Sequence, residues 1–305
     1  TINAYFFICT NPNRVKYNIK NAYANDIVLD ASNNIIATGD ITGTSDFDPG
    51  SGTASFSLVN SVSSNPFIAK YDSSGKYVNA INFGDGSGKS IKLGSDGHIY
   101  VTGTFTGNNI DFDPGTNTTT LTNNGSTDSF FAKFNASYTL QWIKGIGSTG
   151  SDRVFDLAVD KNNNLLLTGS FRNTVDFDPG TGTKELTSAG FDDAFFAKYD
   201  SDGNIKFAYR FGGANSAIGR KVIVNNLETI YIAGSFRNAD VNFNPNGTTN
   251  LSTNGNSDIF IAKYDLPEIN VKAGTTNLAS AATYDFGGIT VGQSSSDVTF
   301  TIQNL

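Results

Sequence analysis

One string, Asp-Phe-Asp-Pro-Gly, recurs through the chain and limits what it can become. It occupies 46–50, 111–115 and 176–180, and a relaxed copy reads Asn242-Phe243-Asn244-Pro245. The steps between copies are 65, 65 and 66 residues. A second string keeps the same period: Phe67-Ile68-Ala69-Lys70-Tyr71-Asp72, Phe131-Ala132-Lys133-Phe134-Asn135, Phe196-Ala197-Lys198-Tyr199-Asp200 and Ile261-Ala262-Lys263-Tyr264-Asp265. A third marker is a glycine after alternating apolar residues, at Gly39, Gly103, Gly169 and Gly234. Three markers in register define four copies of one unit.

Each unit reads as four strands. In the second copy, strand a is Ser90 to Leu93, strand b His98 to Phe105, strand c Ser129 to Phe134 and strand d Leu140 to Ile146. The Asp-Phe-Asp-Pro-Gly string lies in the long b–c connection. Tyr100 and Thr102 alternate with Ile99 and Val101, as in a strand buried on both faces. Gly94-Ser95-Asp96-Gly97 is hairpin-turn chemistry. A lone four-stranded unit exposes two apolar faces, which stacking against neighbours buries. The expected fold is therefore all-β, a four-repeat and four-bladed propeller. The fourth copy runs out after strand c, and Val15-Lys16-Tyr17-Asn18-Ile19 resembles a strand d. This N-terminal strand is expected to close the ring.

The expected organisation is an N-terminal extension at 1–13 and a propeller at 14–265. Its repeats span about 25–88, 89–152, 153–217 and 218–265, with 14–20 as the closing strand. After Pro267 the repeat stops. The tail, 268–305, reads as three strands at Ile269 to Lys272, Tyr284 to Val291 and Val298 to Ile302. Three strands make at most part of a sandwich, so the chain is expected to continue or to complete a sheet elsewhere.

The Thr-Gly-x-Phe turn, the Asp-Phe-Asp-Pro-Gly string and the Phe-x-Ala-Lys-Tyr-Asp strand resemble the SBBP-type β-propeller repeat of exported bacterial proteins. A following strand bearing Trp142 or Phe207 and ending in Gly adds to the likeness, which covers about residues 14 to 265. The first copy is weaker in that last strand. The resemblance implies a propeller and an exported location, with no defined activity. Phe286-Gly287-Gly288-Ile289-Thr290-Val291-Gly292 followed by Val298-Thr299-Phe300-Thr301-Ile302 resembles the opening of an Ig-like choice-of-anchor D domain.

Composition narrows the partners. The net charge is −7, which argues against nucleic acid, since phosphate binding needs clustered Lys and Arg. No apolar run reaches the roughly 20 residues of a membrane span, so no membrane insertion is expected. One Cys and one His remove the disulfide and leave little for a nucleophilic triad or metal site.

Candidate sites begin with the Asp-x-Asp pairs: Asp46 with Asp48, Asp111 with Asp113, Asp176 with Asp178. Residues two apart in an extended chain point the same way. Two readings stand. The clustered hard oxygens suit Ca²⁺, or each Asp accepts local N–H bonds and fixes a turn. Asn242 and Asn244 in the fourth copy lose the charge but keep the turn chemistry, which leans to the turn. Asp200-Ser201-Asp202-Gly203-Asn204 looks like half a calcium loop, but the later Glu is missing. Lys70, Lys133, Lys198 and Lys263 recur five residues after Asn65, Asp128, Asp193 and Asp258, suggesting a repeated structural Lys–Asp bridge. His98 beside Asp96 reads as a turn residue, and Cys9 as a buried apolar one. Arg172 and Arg237 follow Phe171 and Phe236 on equivalent loops, where acidic sugars would fit.

The expectation is a non-catalytic, extracellular or bacterial cell-surface scaffold whose partner is an extracellular glycan or protein. No cofactor is expected beyond Ca²⁺ at the Asp pairs. The alternative is a filament subunit in which terminal segments add strands to copies of itself.

Overall fold

The computed structural model of the 305-residue chain describes residues 5–8, 15–60, 62–237, 240–244, 250–253, 255–264, 269–273, 276–278 and 300–304. They form strands and turns, with no helix among them. The first unit pairs Ala22–Leu29, Ile35–Ile41, Asn65–Tyr71 and Tyr77–Asn82 in that order. The second pairs Ser87–Leu93, Ile99–Phe105, Asp128–Phe134 and Leu140–Ile146, and the third Arg153–Val159, Leu165–Phe171, Asp193–Tyr199 and Ile205–Phe211. The fourth holds three strands, Ala217–Val224, Ile230–Phe236 and Asp258–Tyr264. All pairings between these strands are antiparallel. In every unit the b–c connection folds back as a small two-stranded ribbon, such as Ile110–Asp111 with Thr120–Leu121.

The turns follow from side-chain chemistry. In the a–b turns, Asp30 Oδ1 accepts from Ser32 N and Asn34 N, and Asp160 Oδ1 from Asn162 N and Asn164 N. The next-to-last turn position takes left-handed φ at Asn33, Gly97, Asn163 and Glu228, which Asn and Gly adopt most readily.

The recurring glycine also has a cause. Strand a carries a bulge opposite it in every unit, between Ala24 and Asp26, beside Gly103, between Val154 and Asp156, and between Gly219 and Lys221. The bulge drives a carbonyl toward strand b. A Cβ on Gly169 would lie 1.9 Å from Arg153 O, and one on Gly39 1.8 Å from Tyr23 O.

Three hydrophobic cores lie between consecutive units. Ile36, Ile68 and Phe83 of the first unit pack with Ile91, Val101 and Phe130 of the second. Tyr100, Phe131 and Ile146 pack with Leu157, Leu167 and Tyr199 of the third. Leu166, Phe196 and Phe211 pack with Val222, Ile232 and Phe260 of the fourth. Strand b thus gives Val101 to one junction and Tyr100 to the other, the two-faced burial its alternation implies. Polar links join neighbouring a strands. Asp26 Oδ2 accepts from Ile91 N and Lys92 Nζ, and Asp156 accepts from Val222 N and Lys221 Nζ. Ser90 Oγ bonds both Asp26 and Asp156.

The expected closing strand is placed otherwise. Val15–Asn18 pairs with Tyr5–Ile8 as a hairpin, and Ile19 is buried in the first unit's own core with Ala37 and Phe67. Among the described residues no fourth strand pairs with Asp258–Tyr264, and Ile259 and Ile261 are 80% and 76% exposed. The physical reason is local: a hairpin with the neighbouring Tyr5–Ile8 closes a short loop, at low entropic cost. In the tail, Ile269–Ala273 pairs with Thr276–Leu278 and Phe300–Asn304. The expected strand Tyr284 to Val291 lies outside the described residues, as does Cys9.

Candidate functional site

The Asp-x-Asp pairs hold their loops by hydrogen bonds to backbone. Asp46 Oδ1 accepts from Asp48 N and Ala54 N, Asp111 Oδ1 from Asp113 N and Thr119 N, and Asp176 Oδ1 from Asp178 N and Lys184 N. Asp48, Asp113 and Asp178 each accept from the glycine two residues on. Asn242 Oδ1 accepts from Asn244 N in the same way, so this bond needs no charge. Each loop offers two carboxylates, each with one oxygen already engaged, and no group of three or more Asp, Glu, His or Cys side chains converges among the described residues. Calcium takes roughly six to eight oxygens, backbone carbonyls and waters included, so the two carboxylates would supply only part of a shell; the turn reading accounts for the hydrogen bonds seen here. Asp111→Asn should therefore stay within about 0.5 kcal/mol of wild type in urea unfolding, while Asp111→Ala should lose about 1–2 kcal/mol by stranding two N–H groups. A calcium-held loop would instead show Asp111→Asn and EGTA both lowering the midpoint.

Asp200 Oδ1 accepts from Asp202 N and Asn204 N, the same turn that Asp72 makes with Ser74 N and Lys76 N. Lys70, Lys133 and Lys198 do form ion pairs, but not with the residues five positions upstream. Lys70 meets Asp30 at 2.8 Å, Lys133 meets Asp96 at 3.6 Å and Lys198 meets Asp160 at 2.7 Å, each the a–b turn of its own unit. An odd spacing of five puts strand residues on opposite faces roughly 17 Å apart, so within one strand these three lysines do not reach those positions, and the repeated Lys–Asp bridge is made to the turn instead. His98 Nδ1 lies 3.0 Å from Asp96 Oδ2, beside its turn. Arg172 is held by Asp192 at 2.9 Å and by the Phe191 carbonyl, and Arg237 stands at the equivalent position with Ser257, not Asp, at the matching site. The two arginines therefore do not repeat one binding arrangement.

The three junctions between units are filled differently. Between the second and third, Trp142, the cross-strand neighbour of Lys133, packs on Phe131 at 5.6 Å and donates from Nε1 to Ser201 O at 3.2 Å. Lys133 Nζ reaches the same carbonyl at 3.4 Å. Between the third and fourth, Phe207 stands opposite Lys198 and packs on Phe196 at 5.6 Å, while Lys198 bridges to Glu228 of the next unit at 3.2 Å.

Between the first and second units, both features are replaced. Asn79 stands opposite Lys70 where the others carry Trp142 and Phe207. Gly97 stands where the fourth unit has Glu228. Tyr138 occupies the c–d turn position of Gly75 and Gly203, at φ 64°, and turns into this junction, where it is buried. A cleft of about 480 Å³ remains, walled by Leu29, Ile36, Leu93, Ile99 and Tyr138, with Lys70 and Asp30 as its charged groups. Burial raises Asp30, yet Lys70 and the donors of Asn34 and Ser32 outweigh it and hold the carboxyl well below the usual range. Apolar walls with an ion pair in a volume of this size suit ligand binding. Sequence reading missed the site. Its signal was the small polar residue in the first copy's last strand together with tyrosine in a glycine position.

An all-β chain of stacked four-stranded repeats, with cores lying between units, is a repeat protein of the β-propeller-like kind. One sequence comparison agrees at that level. An alignment over 115 residues, covering 33% of this chain, is 26% identical to an uncharacterised WD repeat-containing protein of Acanthamoeba polyphaga mimivirus, of which it spans 8%. A crystallised protein of unknown function from Bacteroides caccae matches 64% of this chain and 84% of its own at 8% identity and a TM-score of 0.25, which carries no argument. No family model matches the chain, so the SBBP and choice-of-anchor D resemblances rest on their motifs alone.

Proposed function

We propose that this chain is a non-catalytic β-propeller scaffold, displayed outside the cell, that binds a glycan or protein ligand in the cleft between its first and second units. The observation that carries the reading is the vacancy itself: of three equivalent junctions, two are filled by an aromatic ring from strand d and one is not. Convergence of the a strands supports a ring with few blades. Ser90 Oγ joins Asp26 to Asp156. Burial opposes the charge of Lys221, but Asp156 and then Asp26, from the first unit, raise its pKa. An exported location rests on the motif resemblance.

Glycan and peptide arrays test the reading when probed with wild type and with Asn79→Trp/Tyr138→Gly, which rebuilds the Trp142–Gly203 arrangement. Binders that the double variant loses support the cleft. A binder that it keeps places recognition elsewhere.

A second reading is self-association through Asp258–Tyr264, favoured by the exposed Ile259 and Ile261 on a strand with no fourth partner among the described residues. Unpaired apolar edges template further strands. Light scattering should then show particles heavier than 32.4 kDa that Ile261→Lys returns to monomer. A uniform monomer at high concentration excludes it.

A further inference from the structure

The chain contains its own description of what the cleft lacks. At the second junction the lacking part is a planar ring with an N–H, at the third a ring and a carboxylate. Both are protein side chains there: Trp142, and Phe207 with Glu228. At the first junction Asn79 and Gly97 remove the ring and the anion together. Lys70 keeps its partner within its own unit, Asp30, while Lys198 holds both the equivalent Asp160 and the cross-unit Glu228. An ammonium has three donors, so the one at Lys70 can serve an incoming anion as well as Asp30.

We propose that the cleft binds an aromatic carboxylate, its ring seated among Leu29, Ile36, Leu93, Ile99 and Tyr138 and its carboxylate on Lys70. The inference rests on the cleft being the binding site and adds the ligand class. Tyr138 supplies one ring face, against which a second ring stacks offset or edge-on. The aliphatic walls take the remaining apolar surface out of water. Lys70 adds a charge-assisted hydrogen bond in a partly enclosed site, where such a bond is stronger than at open surface. The fit selects against neutral aromatics, which leave Lys70 with Asp30 as its one anion, and against aliphatic acids, which leave the ring seat unfilled.

The test titrates the whole chain with indole-3-acetate and with neutral indole, followed by calorimetry or ligand-detected NMR. Indole-3-acetate should bind at least about tenfold more tightly, a difference near 1.4 kcal/mol. Lys70→Met should bring its affinity down to that of indole. Gly97→Glu provides an independent variant, because it installs the anion found at Glu228. The added Cβ at Gly97 meets nothing within 4 Å, and Glu228 itself sits at φ 64° against 77° for Gly97. It should weaken indole-3-acetate about tenfold or more. Equal affinity for the two compounds, an unchanged preference in both variants, or no saturable binding overturns the proposal. Array ligands that depend on the cleft, found while indole-3-acetate fails, would reject the ligand class and leave the binding reading standing. Absence of both would reject the two together.

Discussion

Gly169→Ala is expected to destabilise the protein by at least about 3 kcal/mol, seen as a large fall in the urea midpoint at unchanged slope. The new Cβ would meet Arg153 O at 1.9 Å and its carbonyl carbon at 2.9 Å, with the ring of Phe195 also at 2.9 Å. An extra methyl in a packed core costs about 1–3 kcal/mol when side chains can shift. Here the obstacle is backbone, fixed by the bulge between Val154 and Asp156 and by the bonds that Asp156 makes to the next unit. Relief would require undoing the bulge and moving the junction. Gly255→Ala, whose Cβ would meet nothing within 4 Å, is the control and should be close to neutral. A loss below 1 kcal/mol at Gly169 would refute the account of the repeated glycine.

Asp128→Asn should stabilise the protein near neutral pH and have little effect at pH 4. Asp128 is buried, and its Oδ2 accepts from Asn124 N at 2.8 Å while Oδ1 has no partner among the described residues. Burial, with Asp152 nearby adding to it, pushes its pKa up to about 6 from 3.8. The first unit shows the better solution. Asn65 at the same position accepts from Val59 N and donates from Nδ2 to Gly84 O at 2.7 Å. Gly147, the counterpart of Gly84, lies directly against the Asp128 carboxyl. Because the folded pKa is raised, the protonated acid is the form the fold favours. The contribution is whole below pH 3.8 and is lost as pH rises toward 6, leaving a penalty of about 2–3 kcal/mol at pH 7.5. An amide escapes this penalty, so a gain of about 1–2 kcal/mol is expected at pH 7.5. Asp193 shares the buried Oδ1 without a partner, and burial likewise raises its pKa, although Arg210 bonds its Oδ2 at 2.6 Å. Equal unfolding curves for wild type and Asp128→Asn at both pH values would refute the prediction.

What could be read from residues alone was whatever repeats. The 65-residue period gave four units, and period-two alternation gave strands b and c within one residue of their ends. Clusters of Asp, Asn and Gly marked the turns, and in the a–b turn of the third unit the leading Asp160 bonds the backbone two and four residues on. The turn role of the Asp-x-Asp pairs was one of two open readings, and the neutral copy at Asn242 pointed toward it. Each of these is set by interactions within a few residues, or by an interface copied from one unit to the next.

What only the tertiary structure decided was where copies differ or where distant segments choose among partners. The lysines at 70, 133 and 198 look paired to residues five places away, but the pleat turns those to the other face and folding delivers the a–b turn instead. Val15–Asn18 has the pattern of an outer strand, and pattern alone cannot say which edge it joins; in the structure the neighbouring Tyr5–Ile8 takes it. Two departures from the repeat, Gly97 and Tyr138, line the cleft, and a third, Asn79, stands opposite Lys70, which also lines it; the three are dispersed over about 60 residues of sequence. Each is unremarkable in its own strand or turn. They become one site because stacking brings strand d of one unit against the turns of the next, a juxtaposition that no local interaction encodes.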